Sequence, residues 1–164
     1  MIILGLDPGL ASMGFGVISY DGVKERMLDF GVLHTYPDMA LPKRLVSLFE
    51  GINDLIERYQ PDDIALEELF FNNNAKTAIV VGEARGVALT AAALYTTNVF
   101  EYTPLQIKQA VTGYGRADKI QIQQMVKLLL SLDKLPKPDD AADALAVAIC
   151  HAHSIRMREQ FRVR

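Results

Sequence analysis

Cysteine is all but missing from this chain. The single thiol, Cys150, rules out an intrachain disulfide, and with it the main reason to place the protein in an oxidising compartment. Its neighbours, Ala144-Leu-Ala-Val-Ala-Ile-Cys150, are those of a buried small hydrophobe and not of a nucleophile. No set of Cys and His residues has the spacing of a zinc cage. The longest nearly apolar stretch, Val87 to Tyr95, falls far short of the ~20 residues that cross a bilayer. No basic region or cleavage site accompanies Met1-Ile-Ile-Leu-Gly-Leu6, so a cytoplasmic chain without a secretory leader is expected. Repeats and low-complexity segments are absent. Positive charge is in deficit too: 17 Lys and Arg against 20 Asp and Glu leave −3. Taken over the whole chain, that sign argues against a nucleic-acid ligand.

What remains is an ordinary globular composition, half hydrophobic and 23% charged over 164 residues. That length fits one domain able to bury a core without staples. The domain is expected to span 1–155, with 156–164 a short basic tail. Ile2–Leu6, Ser12–Tyr20 and Glu25–Thr35 read as strands, separated by Asp7-Pro8-Gly9 and by the hairpin signal Asp21-Gly22. Leu45, Leu48, Ile52, Leu55 and Tyr59 recur at helical spacing between Pro42 and Pro61. A short apolar strand follows at Ile64–Leu66, then a long helix from an Asn74 cap to Tyr95. Val99–Tyr102 is a fifth strand, and helices are predicted from Pro104, over 117–132 and over 139–154. This order predicts an α/β fold. Its five-stranded mixed sheet has three antiparallel strands, then two parallel crossovers, and is flanked by helices.

In such sheets chemistry gathers beyond the carboxyl ends of the parallel strands. Asp7 stands at one of those ends and Glu67-Glu68 at another. Alone, each acid has a plain structural reading: turn chemistry for Asp7, a solvated strand end for the glutamates, a helix cap for Asp139 or Asp140. Together they are more specific. Asp140 and Asp143 lie three apart on one helix face, with Cβ atoms about 5–6 Å apart. A helix packed beside the first strand brings both towards Asp7 and the glutamates. Carboxylates so clustered need a counter-charge, and an all-oxygen set selects a hard cation, Mg²⁺ or Mn²⁺. A pair of such ions suits in-line attack of water on a phosphodiester, which makes the acids read as a metal-dependent nuclease site. His34, His151 and His153 share no face and read as structural.

Ile3-Leu-Gly-Leu-Asp-Pro-Gly9, Ala65-Leu-Glu-Glu-Leu-Phe70, Gly82-Glu-Ala-Arg-Gly86, Phe100-Glu-Tyr102 and Asp140-Ala-Ala-Asp-Ala-Leu-Ala146 are the motifs that matter next. In order and spacing they resemble the RuvC crossover-junction endodeoxyribonucleases of bacteria. The likeness runs over nearly the whole chain. It implies an RNase H-like fold and a homodimer acting on four-way DNA (Holliday) junctions in recombination and repair. Symmetric nicks in strands of like polarity would leave ligatable ends. The resemblance implies Asp7, Glu67, Asp140 and Asp143 as the catalytic, metal-binding acids, holding two Mg²⁺ for which Mn²⁺ can substitute. Choosing Glu67 over Glu68 rests on this match. Some relatives have histidine where Asp140 stands, so this chain resembles the all-carboxylate form. Phe70 matches an aromatic that stacks on an unpaired base. Lys108 and Lys119 match lysines that hold DNA, and Arg116 is expected to join them. A RuvA–RuvB branch-migration complex is the implied partner, and no membrane is expected. Gly82 and Gly86, each costing up to ~1 kcal/mol within a helix, imply close packing on the sheet or on a second subunit.

Three alternatives stand beside this reading. Gly5-Leu-Asp-Pro-Gly9 followed by Gly14-Phe-Gly-Val17 also resembles the phosphate-binding hairpin of actin-like ATPases and sugar kinases, which pair two such domains. The shorter RuvX/YqgF-type proteins share the Asp-Pro-Gly opening and fit the later motifs less well. A non-catalytic junction binder with structural acids is the third. The charge objection weakens on closer division. Lys108, Arg116, Lys119 and Lys127 against Asp118 give 104–132 a net +3. Arg156, Arg158, Arg162 and Arg164 against Glu159 give 156–164 another +3, leaving −9 elsewhere, four of it on the proposed ligands. The basic end is expected to be a solvated tail, with a phosphate-contacting arm as the alternative.

Overall fold

Asp21-Gly22 turns the chain by the chemistry its residues offer. The Asp21 Oδ1 accepts from the Val23 and Lys24 amides at 2.9 and 2.8 Å, and Gly22 takes φ +100°. A computed structural model describes residues 1–68 and 75–163, with side chains left aside at 75–77. Its strands are β1 (Ile2–Asp7), β2 (Ser12–Tyr20), β3 (Glu25–His34), β4 (Asp63–Glu67) and β5 (Val99–Tyr102). Its helices are α1 (Leu41–Tyr59), α2 (Ala75–Tyr95), α3 (Pro104–Thr112), α4 (Lys119–Leu129) and α5 (Asp139–Ser154), followed by a 3₁₀ turn over Ile155–Phe161. The sheet order is β3-β2-β1-β4-β5. β1 pairs antiparallel with β2 and parallel with β4, and β5 runs parallel to β4. The predicted mixed sheet is the observed one.

Strand alternation sorts the side chains into two cores. Leu4, Leu6, Met13, Val17, Ile64 and Leu66 face α1 and α2, where Leu48, Ile52 and Ala88 meet them. Ile3, Ile18, Ala65, Phe100 and Tyr102 face the other way, against α5. This second contact is unusually close. A Cβ on Gly16 would lie 2.8 Å from the Leu145 Cα, while one on Gly5 or Gly14 would overlap the carbonyls of Ala144 or Asp140. Gly5 and Gly16 are partners across β1 and β2, and Gly14 is the partner of Asp7. The bare strip they form lets the alanine-rich α5 lie with its backbone on the sheet.

Four expectations need correction. α4 starts at Lys119 and not at 117, because Asp118 and Gln121 form a reciprocal capping box. It ends at Leu129, before Ser131 at φ +53°. Residues 156–163 are neither a solvated tail nor a free arm. Arg158 donates to buried Asp63, the Arg162 guanidinium lies 5.0 Å from the Phe100 ring centroid, and the Val163 amide donates to the Val99 carbonyl at 2.9 Å. The segment covers the open edge of β5, which would otherwise present unpaired backbone groups. Gly82 and Gly86 do not serve packing on the sheet, since a Cβ at either would meet nothing within 4 Å among the described residues. Finally, 78–95 within α2 has the length and apolar composition of a membrane span, a feature the shorter run 87–95 conceals. Glu83 and Arg85 interrupt it, and Arg85 is ion-paired with Glu101 on β5.

Candidate active site

Asp7 closes β1 and Glu67 closes β4, and the parallel register Leu6↔Leu66 sets them side by side. The glycine strip supplies the other half. Because Gly14 has no side chain, the first turn of α5 drops to the sheet directly beside Asp7. Asp140 and Asp143 therefore reach the cavity that Asp7 and Glu67 enter from the strands. It has a volume of about 410 Å³, and all four of these acids line it, together with Glu68, Lys108 and Lys119. Asp139 is turned away and accepts from Gln123 Nε2 at 2.8 Å.

Burial and like charge dominate the electrostatics. The Asp7 carboxyl is pushed up to about 8, first by burial and then by Glu67, Asp143 and Asp140. Glu67 is raised to about 7 by burial and by Asp143, with Lys119, Lys108 and a hydrogen bond with Asp7 offsetting part of the rise. Asp143 is also raised, chiefly by burial, against the pull of Lys119. The Lys119 ammonium stands 3.5 Å from the Asp143 carboxylate, and that charge in turn raises its own pKa. One ammonium does not neutralise this group. A cavity walled by carboxylates that resist ionisation is a site short of positive charge.

The donor set fits a hard divalent cation, because every ligand candidate is a carboxylate oxygen. Among the described residues no three such groups converge tightly enough to close a ligand shell on one ion. The site is an open cleft walled by carboxylates that repel one another. The alternative phosphate hairpin loses its room. The space over Gly14 and Gly16 is filled by the α5 backbone.

Of the other predicted residues, Lys108 and Lys119 line the cavity, whereas Arg116 stands exposed on the turn between α3 and α4. Phe70 and the Asn74 cap lie outside the described residues. His151 is structural, as expected: it is buried, with Nδ1 2.8 Å from the Tyr102 hydroxyl and Nε2 2.8 Å from Asp63 Oδ2. This Tyr102–His151–Asp63–Arg158 chain escaped sequence reasoning, because its members lie up to 95 residues apart. The glycine strip escaped it as well. Its signal was present in Gly5, Gly14 and Gly16, which share one sheet face and are matched by five alanines in 141–148.

Comparison with known proteins bears on the same residues. The family model described as "Crossover junction endodeoxyribonuclease RuvC" matches residues 3–151. A protein of that name from Alkaliphilus oremlandii is 58% identical over the full length of both chains. Another, from Desulforamulus reducens, is 61% identical over 152 residues, 93% of each chain. The structure described as "T. thermophilus RuvC in complex with Holliday junction substrate" superposes with a TM-score of 0.91 at 37% identity, covering 96% of each chain. The chain belongs to the crossover junction endodeoxyribonuclease RuvC family.

Proposed function

We propose that this protein is a metal-dependent, structure-selective endodeoxyribonuclease that resolves four-way DNA junctions. The observation that carries the reading is the half-buried Asp7–Glu67 pair in the cavity, whose carboxyls are held at about 8 and about 7 beside Asp143. A fold seldom keeps such a pair without using it. Asp7, Glu67, Asp140 and Asp143 would hold two divalent cations, Mg²⁺ by preference and Mn²⁺ as a substitute. Bound there, such ions supply Lewis acidity for in-line hydrolysis of a phosphodiester by water.

The remaining work falls to the chain itself. Lys108 and Lys119 bring positive charge to the cavity wall, where the phosphates on either side of the cut would pass. Lys119, paired with Asp143 at 3.5 Å, would be freer to meet the DNA when the acids hold a cation. Pro104, Ile107 and Ile122 give the same wall an apolar backing. Phe70 is proposed to stack on an unpaired base at the exchange point.

Four-way junctions have two-fold symmetry, and the proposed enzyme is a homodimer that matches it. The outward face of α2 supports this reading. Gly82 and Gly86 leave it flat, while Ile79 and Leu94 are 64% and 74% exposed on it. A dimer would place one cavity on each of two strands of like polarity, so that paired nicks leave ends fit for ligation. A RuvA–RuvB branch-migration complex is the proposed partner, and the cytoplasm, where the DNA lies, the proposed location. Incubation with a synthetic four-way junction and Mg²⁺ tests the reading. Symmetric, ligatable nicks in the junction and none in linear duplex are expected; equal cutting of both substrates would refute it.

A further inference from the structure

Asp7 is held less completely than the strand it ends. The parallel pairing of β1 with β4 stops at Leu6↔Leu66, and among the described residues the strand partner of Asp7 is Gly14 of β2 alone. Past Asp7 the chain turns through Pro8-Gly9-Leu10-Ala11 into β2, with Pro8 on the cavity wall. The turn is tight, since a Cβ on Gly9 would overlap the Ser12 carbonyl. Its far half is fastened from another element. Thr35 directly follows β3 and is only 4% exposed. Its amide donates to the Ala11 carbonyl at 3.1 Å, and its hydroxyl donates to the Leu10 carbonyl at 2.5 Å. The Arg44 Nε of α1 donates to the same hydroxyl at 2.7 Å.

These bonds have a fixed direction. A guanidinium can only donate, and a hydroxyl has one proton to give. Because Arg44 occupies Thr35 Oγ1 as an acceptor, that proton goes to the Leu10 carbonyl. The bond arriving from Arg44 is charge-assisted and polarises the one that leaves. Three elements, α1, the end of β3 and the turn after Asp7, thus meet in one buried hydroxyl. Fastening matters at this turn because the like charges of Glu67, Asp143 and Asp140 act against keeping the Asp7 carboxyl among them. Neither Thr35 nor Arg44 lines the cavity, so any influence on it passes through Leu10 and the turn.

We infer that Thr35 and Arg44 are positioning residues for Asp7, a relay from α1 that fixes the turn leaving the acid and so keeps its carboxyl in place to receive a divalent cation. This rests on the metal-dependent nuclease reading above.

Mn²⁺ binding to the whole protein without DNA, read from the electron paramagnetic resonance signal of the free ion, tests the relay apart from any cleavage. Thr35→Val keeps the shape and loses the hydroxyl. It is expected to bind Mn²⁺ about tenfold more weakly, the scale on which groups that orient metal ligands act. Half-maximal junction cleavage should move to higher Mg²⁺ by a like factor, with junction binding in chelator unchanged. Thr35→Ser retains the hydroxyl and should stay close to the parent, whereas Arg44→Met should weaken Mn²⁺ binding as Thr35→Val does. Tyr59→Phe is the control, because the Tyr59 hydroxyl donates to Asp29 Oδ2 at 2.5 Å and ties α1 to β3 without touching the turn. It should lower the melting temperature and leave Mn²⁺ binding as it was. Parental Mn²⁺ affinity in Thr35→Val would overturn the proposal however far its melting temperature falls, as would an equal loss in Thr35→Ser or Tyr59→Phe. If Thr35→Val does not fold, the half-buried Arg44 decides, and parental affinity in Arg44→Met overturns the relay. A parent that binds Mn²⁺ but cuts no junction with Mg²⁺ would sink the nuclease reading instead, and the two failures are distinguishable.

Discussion

β4 begins on a buried acid and ends on a half-buried one, and its two ends treat the acid in opposite ways. Asp63, at the start, is fully buried, and burial alone would raise its carboxyl. The hydrogen bond from His151 and the charge of Arg158 outweigh burial and hold it below the ordinary carboxylate range. Glu67, at the other end, sits with Asp7 and Asp143 and is pushed up. Three residues of one strand thus separate a satisfied charge from a frustrated one. The satisfied end fastens the fold, tying α5 and the basic C-terminal segment to the sheet. The frustrated end relieves its repulsion only by holding protons or an added cation, and that is where the chemistry is proposed.

Removing one acid from each end breaks the comparison most directly. Asp7→Asn is expected to lower junction cleavage by at least about a thousandfold while leaving junction binding intact. Asp143→Asn should behave alike, as measured by strand scission on denaturing gels. Asp63→Asn is expected to do the reverse. It leaves Arg158 and His151 facing a neutral amide in the interior, a loss of about 3 kcal/mol in denaturant unfolding. Its cleavage rate, measured well below the melting temperature, should remain within a few-fold of the parent. A stable Asp63→Asn protein that cannot cut would erase the distinction between the two ends.

The frustrated end was legible in the sequence, and the satisfied end was not. Asp7 follows an apolar strand and Asp140 and Asp143 share a helix face, so local spacing and strand order point to the cluster before any coordinates. Asp63 and His151 carry no such signal. Their pairing joins residues 88 apart through a contact that no periodicity encodes. The arginines of 156–164 misled for a related reason, because a short charged segment reads as solvated until a buried acid is found for it. The whole-chain charge misled by averaging. It hid the positive 104–132 segment that flanks the cavity behind the acids that form it.

The two ends also tilt stability with pH in opposite directions. Asp7 has a folded value of about 8 against an ordinary 3.8, and Glu67 about 7 against 4.5. Between those limits the folded chain holds protons that the unfolded chain has released. Without divalent ions, stability should therefore be greatest below about pH 4 for this pair and fall as pH rises towards 8. Asp63 works in the other sense, contributing stability above its unfolded value and losing it under stronger acid. Melting temperatures from pH 5 to 9 in chelator should thus decline with pH, more steeply than for Asp7→Asn. Saturating Mg²⁺ should flatten the decline, since cation binding to the folded state alone is stabilising. A parent curve parallel to that of Asp7→Asn would show that the pair stores no repulsion.

The smallest expected effect is also the finest probe of the frustrated end. Lys119 is paired with Asp143 at 3.5 Å, whereas Lys108 lines the same cavity with no acid within ion-pairing distance among the described residues. If each meets one phosphate, Lys108→Ala and Lys119→Ala should each weaken junction binding a few-fold and lower the salt slope by about 1. Their metal dependence should differ. Lys108 is available to DNA with or without a cation, so its substitution lowers the slope under both conditions. Lys119 is engaged by Asp143 until a cation takes its place, so Lys119→Ala should lower the slope only when a divalent ion is bound. Salt titrations of both variants on the Asp7→Asn background, with and without Mg²⁺, read this out. Identical behaviour of the two lysines would mean that Asp143 does not hold Lys119 back, and that loading the cavity does not reach the DNA through this ion pair.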